Sequence, residues 1–165
     1  MVKDPSTRPH PGPPSDLIVL GLPREDSLAR VRRGLLRAAA RQGWRVIVVM
    51  PARSGSVELI REQETGLWEA TIPAGEGETA EEVGRALEGL DRPLGSGQVT
   101  TFVQSPRWAV PALAWQRERS WPVVYDALAL WEEQEGIPSS WIEAEGALLA
   151  GADLVLAADA RLMRR

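Results

Sequence analysis

The chain has 165 residues, enough for one domain with its own core, and it contains no cysteine, which excludes disulfides, thiolate chemistry and cysteine-based zinc sites. Its only histidine, His10, lies in the proline-rich stretch STRPHPGPPS, so a histidine-based triad or multi-histidine metal site is not expected. The net charge of -4 argues against general nucleic-acid binding. We therefore expect no metal site and no nucleic-acid partner.

The first third of the chain predicts a strand, a helix and a second strand after a tail. Residues 1–15 are polar and rich in proline, which predicts a disordered or loosely attached tail. DLIVLG (16–21) and WRVIVVMP (44–51) are short apolar runs typical of buried strands, and a helical pattern from Pro23 to its C-cap at Gly43 separates them. This order predicts a parallel strand pair with a right-handed crossover. Four apolar residues share one face of this helix: Leu28, Val31, Leu35 and Ala39.

The middle of the chain is less regular. Residues 57–73 predict two short extended pieces around Gly66, and 79–90 predict an amphipathic helix capped by Thr79. A strand is predicted at 98–104.

The following helix is predicted at 105–120. Ser105 is its expected N-cap and Pro106 its first residue. Pro111 falls inside the pattern, so we expect the first turn to be distorted or to restart there.

The last third continues the alternation of strands and helices. Strands are predicted at 122–126 and 153–157, a helix at 137–152, and the start of another helix at 160–165. Such alternation predicts an α/β domain with a Rossmann-like open, mostly parallel sheet and helices on both faces. No apolar run is long enough to span a membrane, and no signal segment is present.

Ligands of an open parallel sheet bind beyond the carboxyl ends of its strands. The segments that leave those ends supply our candidate site residues: Gly21, Arg24, Ser105, Arg107, Trp108 and Asp126. Glycine allows close approach, and arginine suits phosphate or carboxylate, although each arginine alone also fits a solvated surface position. No dinucleotide fingerprint, Walker loop or nucleophile elbow is present.

Three segments resemble known glycosyltransferases. RRGLLRAAARQGWRVIVVMP is similar to the opening of family-4-like glycosyltransferases of the GT-B class, and FVQSPRWAVPALAWQRERSWPVVYDALALW resembles a subgroup acting on bacterial surface polysaccharides. WIEAEGALLAGADLVLAADARL resembles the next element of that subgroup. The likeness covers about residues 17 to 165, apart from 55–97.

The resemblance implies that residues 16–165 are the N-terminal, acceptor-side domain of a GT-B enzyme. This domain is one half of the GT-B fold. The partners it implies are a sugar or lipid-linked acceptor and a C-terminal donor domain. It implies no cofactor in this domain, because the donor domain, absent from this chain, would hold the nucleotide sugar. The chain alone is then expected to transfer no sugar, and its expected location is cytoplasmic, either free or peripheral to the inner membrane.

The sequence departs from the subgroup where Ala129 and Leu130 replace acidic residues after Asp126. We expect residues 105–108 and 126–131 to border one cleft with an apolar wall, which suits an apolar acceptor, a docked domain or self-association through that face. Asp126 would contact an acceptor hydroxyl or bond its own turn. Glu145 is predicted to be a buried structural tie to a neighbouring loop.

Near this cleft, Trp108, Trp131 and Trp141 could stack on sugars, but core or interdomain packing is the other interpretation. The alternative function is a non-catalytic Rossmann-like module for interaction or regulation. A flavodoxin-like nucleotide-binding domain is a third hypothesis, weakened by the lack of a phosphate loop.

Overall fold

The computed structural model describes residues 15–21, 27–51, 59–72 and 97–157. Its strands are β1 (Ser15–Leu20), β2 (Arg45–Pro51), β3 (Leu59–Glu64), β4 (Leu67–Ile72), β5 (Gln98–Val103), β6 (Val123–Ala127) and β7 (Leu154–Ala157). Its α-helices are α1 (Ser27–Arg41), α2 (Ala109–Arg119) and α3 (Ser139–Gly151). Single 3-10 turns occupy Pro106–Trp108 and Trp131–Glu133.

The strands form one sheet of seven strands in the order β3-β4-β2-β1-β5-β6-β7. Each neighbouring pair is parallel except β3 and β4, which are antiparallel and joined by a turn at Gly66. The five apolar runs predicted as strands all belong to this sheet, and the two extended pieces around Gly66 are the β3–β4 hairpin. The predicted mostly parallel, Rossmann-like α/β architecture is confirmed.

Two hydrophobic clusters lie on opposite faces of the sheet, because successive strand residues point to opposite sides. One face, here called the α2–α3 face, carries the larger cluster, which includes Leu20, Val49, Trp115 and Leu148. The other, here called the α1 face, carries a smaller cluster: Val19, Leu36, Val46, Val48 and Phe102. Helices therefore cover both faces, as predicted.

Helix α1 is rotated relative to the expectation from sequence. Leu36 is its buried contact with the sheet, whereas Val31 and Leu35 are 67% and 58% exposed. Alanines 39 and 40 let the helix approach the strands closely, and this rotation brings Arg32 to Asp126 of β6. The helix ends as predicted at Gly43, whose N–H donates to the Ala40 carbonyl at 3.0 Å.

The start of α2 also differs from its prediction. Ser105 occupies the N-cap position and Pro106 the first helical position, but the Ser105 hydroxyl makes no capping hydrogen bond. The first turn is a 3-10 turn, and the α-helix begins at Ala109 rather than at Pro111. Pro111 is thereby placed in the first α-helical turn, where its missing N–H costs no hydrogen bond.

Several predictions lie outside the described residues. These are the tail up to residue 14, Arg24, the helix at 79–90 and the segment 160–165. Within the ranges that the structure describes, no helix is long and apolar enough to cross a membrane.

Candidate functional site

Gly21 lies directly after β1 at the carboxyl edge of the sheet, and only glycine fits there. Its φ is +81°, in the left-handed region, and a Cβ at this position would lie 2.9 Å from Nε1 of Trp108. The Gly21 N–H donates to the Val49 carbonyl at 3.0 Å, which holds the end of β1 beside β2. Two predicted site residues, Gly21 and Trp108, are therefore in direct contact.

The segment after β5 packs into the domain at this edge. Trp108 is fully buried, and within the described part of the chain its Nε1 has no hydrogen-bond partner. The Arg107 guanidinium lies 5.3 Å from the centre of the Trp108 ring, and both Ser105 and Arg107 are half-buried. Of the three candidate residues in this segment, Ser105 and Arg107 thus keep some exposed area, whereas Trp108 has none.

Asp126 is held by two side chains that sequence analysis had not selected. Its carboxylate receives a two-pronged contact from Arg32 of α1 and a hydrogen bond from Gln104 Nε2 at 3.1 Å. Gln104 follows β5 directly, so the strand-end rule used above could have selected it. Arg32 lies 94 residues away in sequence, and nothing in the local pattern marks it.

The Arg32–Asp126 pair changes what the edge presents to a ligand. The Asp126 side chain is 2% exposed and that of Arg32 is 16% exposed. The Arg32 side chain is therefore more exposed than the carboxylate that it binds. Direct contact between Asp126 and an acceptor hydroxyl stays a prediction, and it requires Arg32 to move aside.

Glu145 of α3 is buried on the α2–α3 face and accepts a hydrogen bond from the Tyr125 hydroxyl at 3.1 Å. This hydrogen bond ties α3 to strand β6, whereas the prediction named a loop. Burial raises the pKa of the Glu145 carboxyl, and the hydrogen bond from Tyr125 lowers that pKa by less. Because α3 also packs on the turn that holds Trp108, Glu145 supports the edge from inside.

The segment after β6 is half-buried. Ala129 and Leu130 keep some exposed area, and Leu130 packs against the core cluster that contains Trp108. Trp131 and Trp141 meet nearly edge to face, with ring centres 5.5 Å apart. Helix α3 contacts both the turn at Pro106–Trp108 and the turn at Trp131–Glu133, but whether the two segments border an acceptor cleft stays a prediction.

A cavity of about 360 Å³ lies elsewhere, between α1 and the β3–β4 hairpin. Its walls include Arg33, Leu36, Val48 and Leu67, and none of the predicted site residues lines it. Within the described residues, no group of three histidine, aspartate or glutamate side chains could hold a metal ion.

No protein-family profile matches the chain, and no curated protein matches it in sequence. Among solved structures, it is similar to sucrose-phosphate synthase from Thermosynechococcus elongatus, with a TM-score of 0.62 and 13% sequence identity. The similarity covers 86% of this chain and 41% of that chain, so this chain spans less than half of that enzyme. At this identity the likeness concerns the fold alone, a Rossmann-type α/β domain of the kind present in that enzyme.

Proposed function

We propose that this domain is the acceptor-binding half of a nucleotide-sugar-dependent glycosyltransferase of the family-4-like GT-B kind. The observation that carries the proposal is the fold shared with part of sucrose-phosphate synthase, combined with the position of the candidate residues. Gly21, Ser105 and Arg107 all leave the carboxyl ends of adjacent strands, where open parallel sheets bind ligands.

In this proposal, Arg32 and Arg107 orient the acceptor. Both guanidiniums lie at the carboxyl edge, one bound to Asp126 and one above the Trp108 ring, and both side chains keep some exposed area. A guanidinium can donate paired hydrogen bonds to phosphate or carboxylate oxygens and single ones to a hydroxyl. Arg32 has Nε and one terminal nitrogen on Asp126, which leaves its other terminal nitrogen for an acceptor. Ala129 and Leu130 offer a partly apolar border, which suits an acceptor with a lipid or aglycone portion.

The donor nucleotide sugar is assigned to a second, C-terminal domain. That domain is the expected partner, and without it the chain is expected to transfer no sugar. Polysaccharide synthesis in a bacterial cytoplasm, beside the inner membrane, is the setting that this proposal implies.

The test is a titration of isotope-labelled protein followed by NMR chemical shifts. Octyl glucoside and a set of mono- and disaccharides should move the amide signals of residues 104, 105, 107, 108 and 126–131, whereas UDP-glucose should not. Arg107→Ala should weaken the sugar response. Arg119→Ala is the matched control, because Arg119 stacks on Trp121 at 4.9 Å in the same manner without being a candidate site residue.

The second candidate is a non-catalytic module for interaction or regulation. The favouring observation is that Asp126 is already engaged by Arg32 and Gln104, while the acidic residues expected after it are replaced by Ala129 and Leu130. Absence of any sugar-dependent shift, at ligand concentrations of about 10 mM that reveal millimolar affinity, would favour this module over the acceptor domain.

A further inference from the structure

Two charged side chains at the carboxyl edge hold each other in one arrangement. Arg32 of α1 donates from Nε and one terminal nitrogen to the two carboxylate oxygens of Asp126 on β6. Gln104, which follows β5 directly, donates from Nε2 to the same carboxylate at 3.1 Å. Asp126 is therefore held from a helix and from a neighbouring strand, and turning toward a ligand would cost it these hydrogen bonds.

Arg32 is the member of this pair that a ligand can contact. Its side chain is 16% exposed, whereas the Asp126 side chain is 2% exposed. Within the described part of the chain, the second terminal nitrogen of Arg32 makes no hydrogen bond, and that nitrogen is not fully buried. The pair therefore offers a ligand an N–H donor, with a carboxylate bound to the other side of the same guanidinium.

The carboxylate changes which ligands this donor favours. Because Asp126 contacts Arg32 directly and is almost fully buried, water screens its charge poorly, and it cancels much of the field of the guanidinium. A phosphate or carboxylate bound to Arg32 would lie close to a second negative charge, so repulsion would offset its attraction. A sugar hydroxyl needs only the N–H donor and is not repelled.

The rest of α1 shows what Arg32 would do without this carboxylate. The helix carries five arginines and no acidic residue, a composition that attracts anions. Arg37 also has a carboxylate partner, Glu64, but both side chains of that pair are 48% exposed, so water screens it. Within the described residues, Asp126 is the buried carboxylate that binds an arginine of this helix.

We propose that Asp126 is a positioning residue that sets the specificity of the acceptor site through Arg32. It holds the guanidinium in place and neutralises it, so that this part of the site takes an uncharged sugar hydroxyl rather than a phosphate or carboxylate. The inference rests on the proposed acceptor function, and it gives Asp126 a part in selecting the acceptor without contact between the two.

Arg32 supplies its own readout, because the Nε–H of a bound arginine gives a separate signal in nitrogen–proton NMR spectra, which Arg32→Ala identifies. Inorganic phosphate at about 10 mM and low salt should leave this signal of the parent chain unmoved. Asp126→Asn keeps the size of the side chain but removes its charge, so it should raise the affinity for phosphate at Arg32 at least about tenfold.

Asp153→Asn is the matched control. It also removes one carboxylate, but near the amino edge, where Asp153 accepts from the Val123 N–H. The Arg32 signal of this variant should therefore stay as insensitive to phosphate as that of the parent chain. Circular dichroism checks that both variants fold.

A neutral and an acidic sugar complete the test. Methyl glucoside should move the Arg32 signal of the parent chain more than glucuronate does, and Asp126→Asn should reverse that order. If Asp126→Asn does not fold, the parent chain decides, because a preference of its Arg32 signal for glucuronate or phosphate over methyl glucoside would overturn the inference.

Equal affinity for phosphate at Arg32 in the parent chain and in Asp126→Asn would also overturn it. A different result separates this inference from the proposed function. If phosphate affinity at Arg32 rises in Asp126→Asn but neither sugar binds the parent chain, the charge role of Asp126 stands and the acceptor function fails.

Discussion

Two arginine–aspartate pairs lie at opposite edges of the sheet and differ in how deeply the arginine is buried. At the amino edge, Arg45 donates from Nε and a terminal nitrogen to both oxygens of Asp16, at 3.0 and 2.9 Å, between neighbouring strands. At the carboxyl edge, Arg32 reaches Asp126 across the face from a helix, and its side chain remains 16% exposed.

Unpaired polar atoms also distinguish the two edges. Among the described residues, Gln104 Oε1 and Trp108 Nε1 at the carboxyl edge are buried without a hydrogen-bond partner. Stable cores rarely leave such atoms unpaired, and functional sites are where they are most often tolerated. The contrast indicates that the amino edge stabilises the fold, whereas the carboxyl edge retains polar groups that a ligand or water can use.

The largest expected effect is at the amino edge. Arg45→Ala removes the cation that donates to both oxygens of the buried Asp16 carboxylate, which should lower the free energy of unfolding by about 3–5 kcal/mol. Arg37→Ala is the control, since both side chains of the Arg37–Glu64 pair are 48% exposed and its loss should cost below about 1 kcal/mol. Urea unfolding measures both, and equal losses would contradict the buried role of Arg45.

A smaller effect is expected at the carboxyl edge. Arg32→Ala should lower the free energy of unfolding by about 1.5–3 kcal/mol, because Asp126 keeps its bond from Gln104 and gains access to water. A double-mutant cycle with Asp126→Ala should show positive coupling between the two residues. Additive losses would mean that the two side chains do not interact in solution.

Glu145 should make the free energy of unfolding depend on pH. Its pKa is raised in the folded state, mainly by burial, so its protonated form stabilises the fold below the unfolded pKa. That contribution disappears as the pH rises through the folded pKa. Glu145→Gln should therefore gain stability relative to the parent chain between acidic and neutral pH, measured by urea unfolding at each pH. If the difference in unfolding free energy between Glu145→Gln and the parent chain were the same at every pH in that range, Glu145 would not be a buried group that ionises.

Asp153 lies near the amino edge. Its expected effect on the pH dependence of stability is opposite in sign to that of Glu145 and is the smallest of the four effects. Its pKa is lowered, first by the hydrogen bond from the Val123 N–H at 2.8 Å and then by the one from Gln116. Its contribution is present above the unfolded pKa and lost as the pH falls through the folded pKa. Asp153→Asn should cost a little stability at neutral pH and nothing in strong acid. If Asp153→Asn lost more stability in acid than at neutral pH, the pKa of Asp153 would not be lowered in the folded state.

Local features of the sequence were sufficient to predict the strands and their parallel pairing. Apolar runs such as LIVL and VVY alternate with helical patterns, and that alternation leaves few arrangements other than an open α/β sheet. Gly43 predicted the end of a helix and Gly66 predicted a turn. Both positions have a positive φ, which glycine adopts more readily than other residues. The strand-end rule also selected Gly21 and Asp126, which do lie at one edge of the sheet.

Only the tertiary structure decided how α1 is rotated and what Asp126 binds. The spacing of Leu28, Val31 and Leu35 predicts that α1 has an apolar side. It does not predict which side of α1 faces the sheet. Burying Leu36 lets Arg32 pair with a carboxylate 94 residues away, and such a contact depends on packing between distant segments. Side-chain periodicity is local, whereas the neutralisation of a buried charge is a property of the assembled fold.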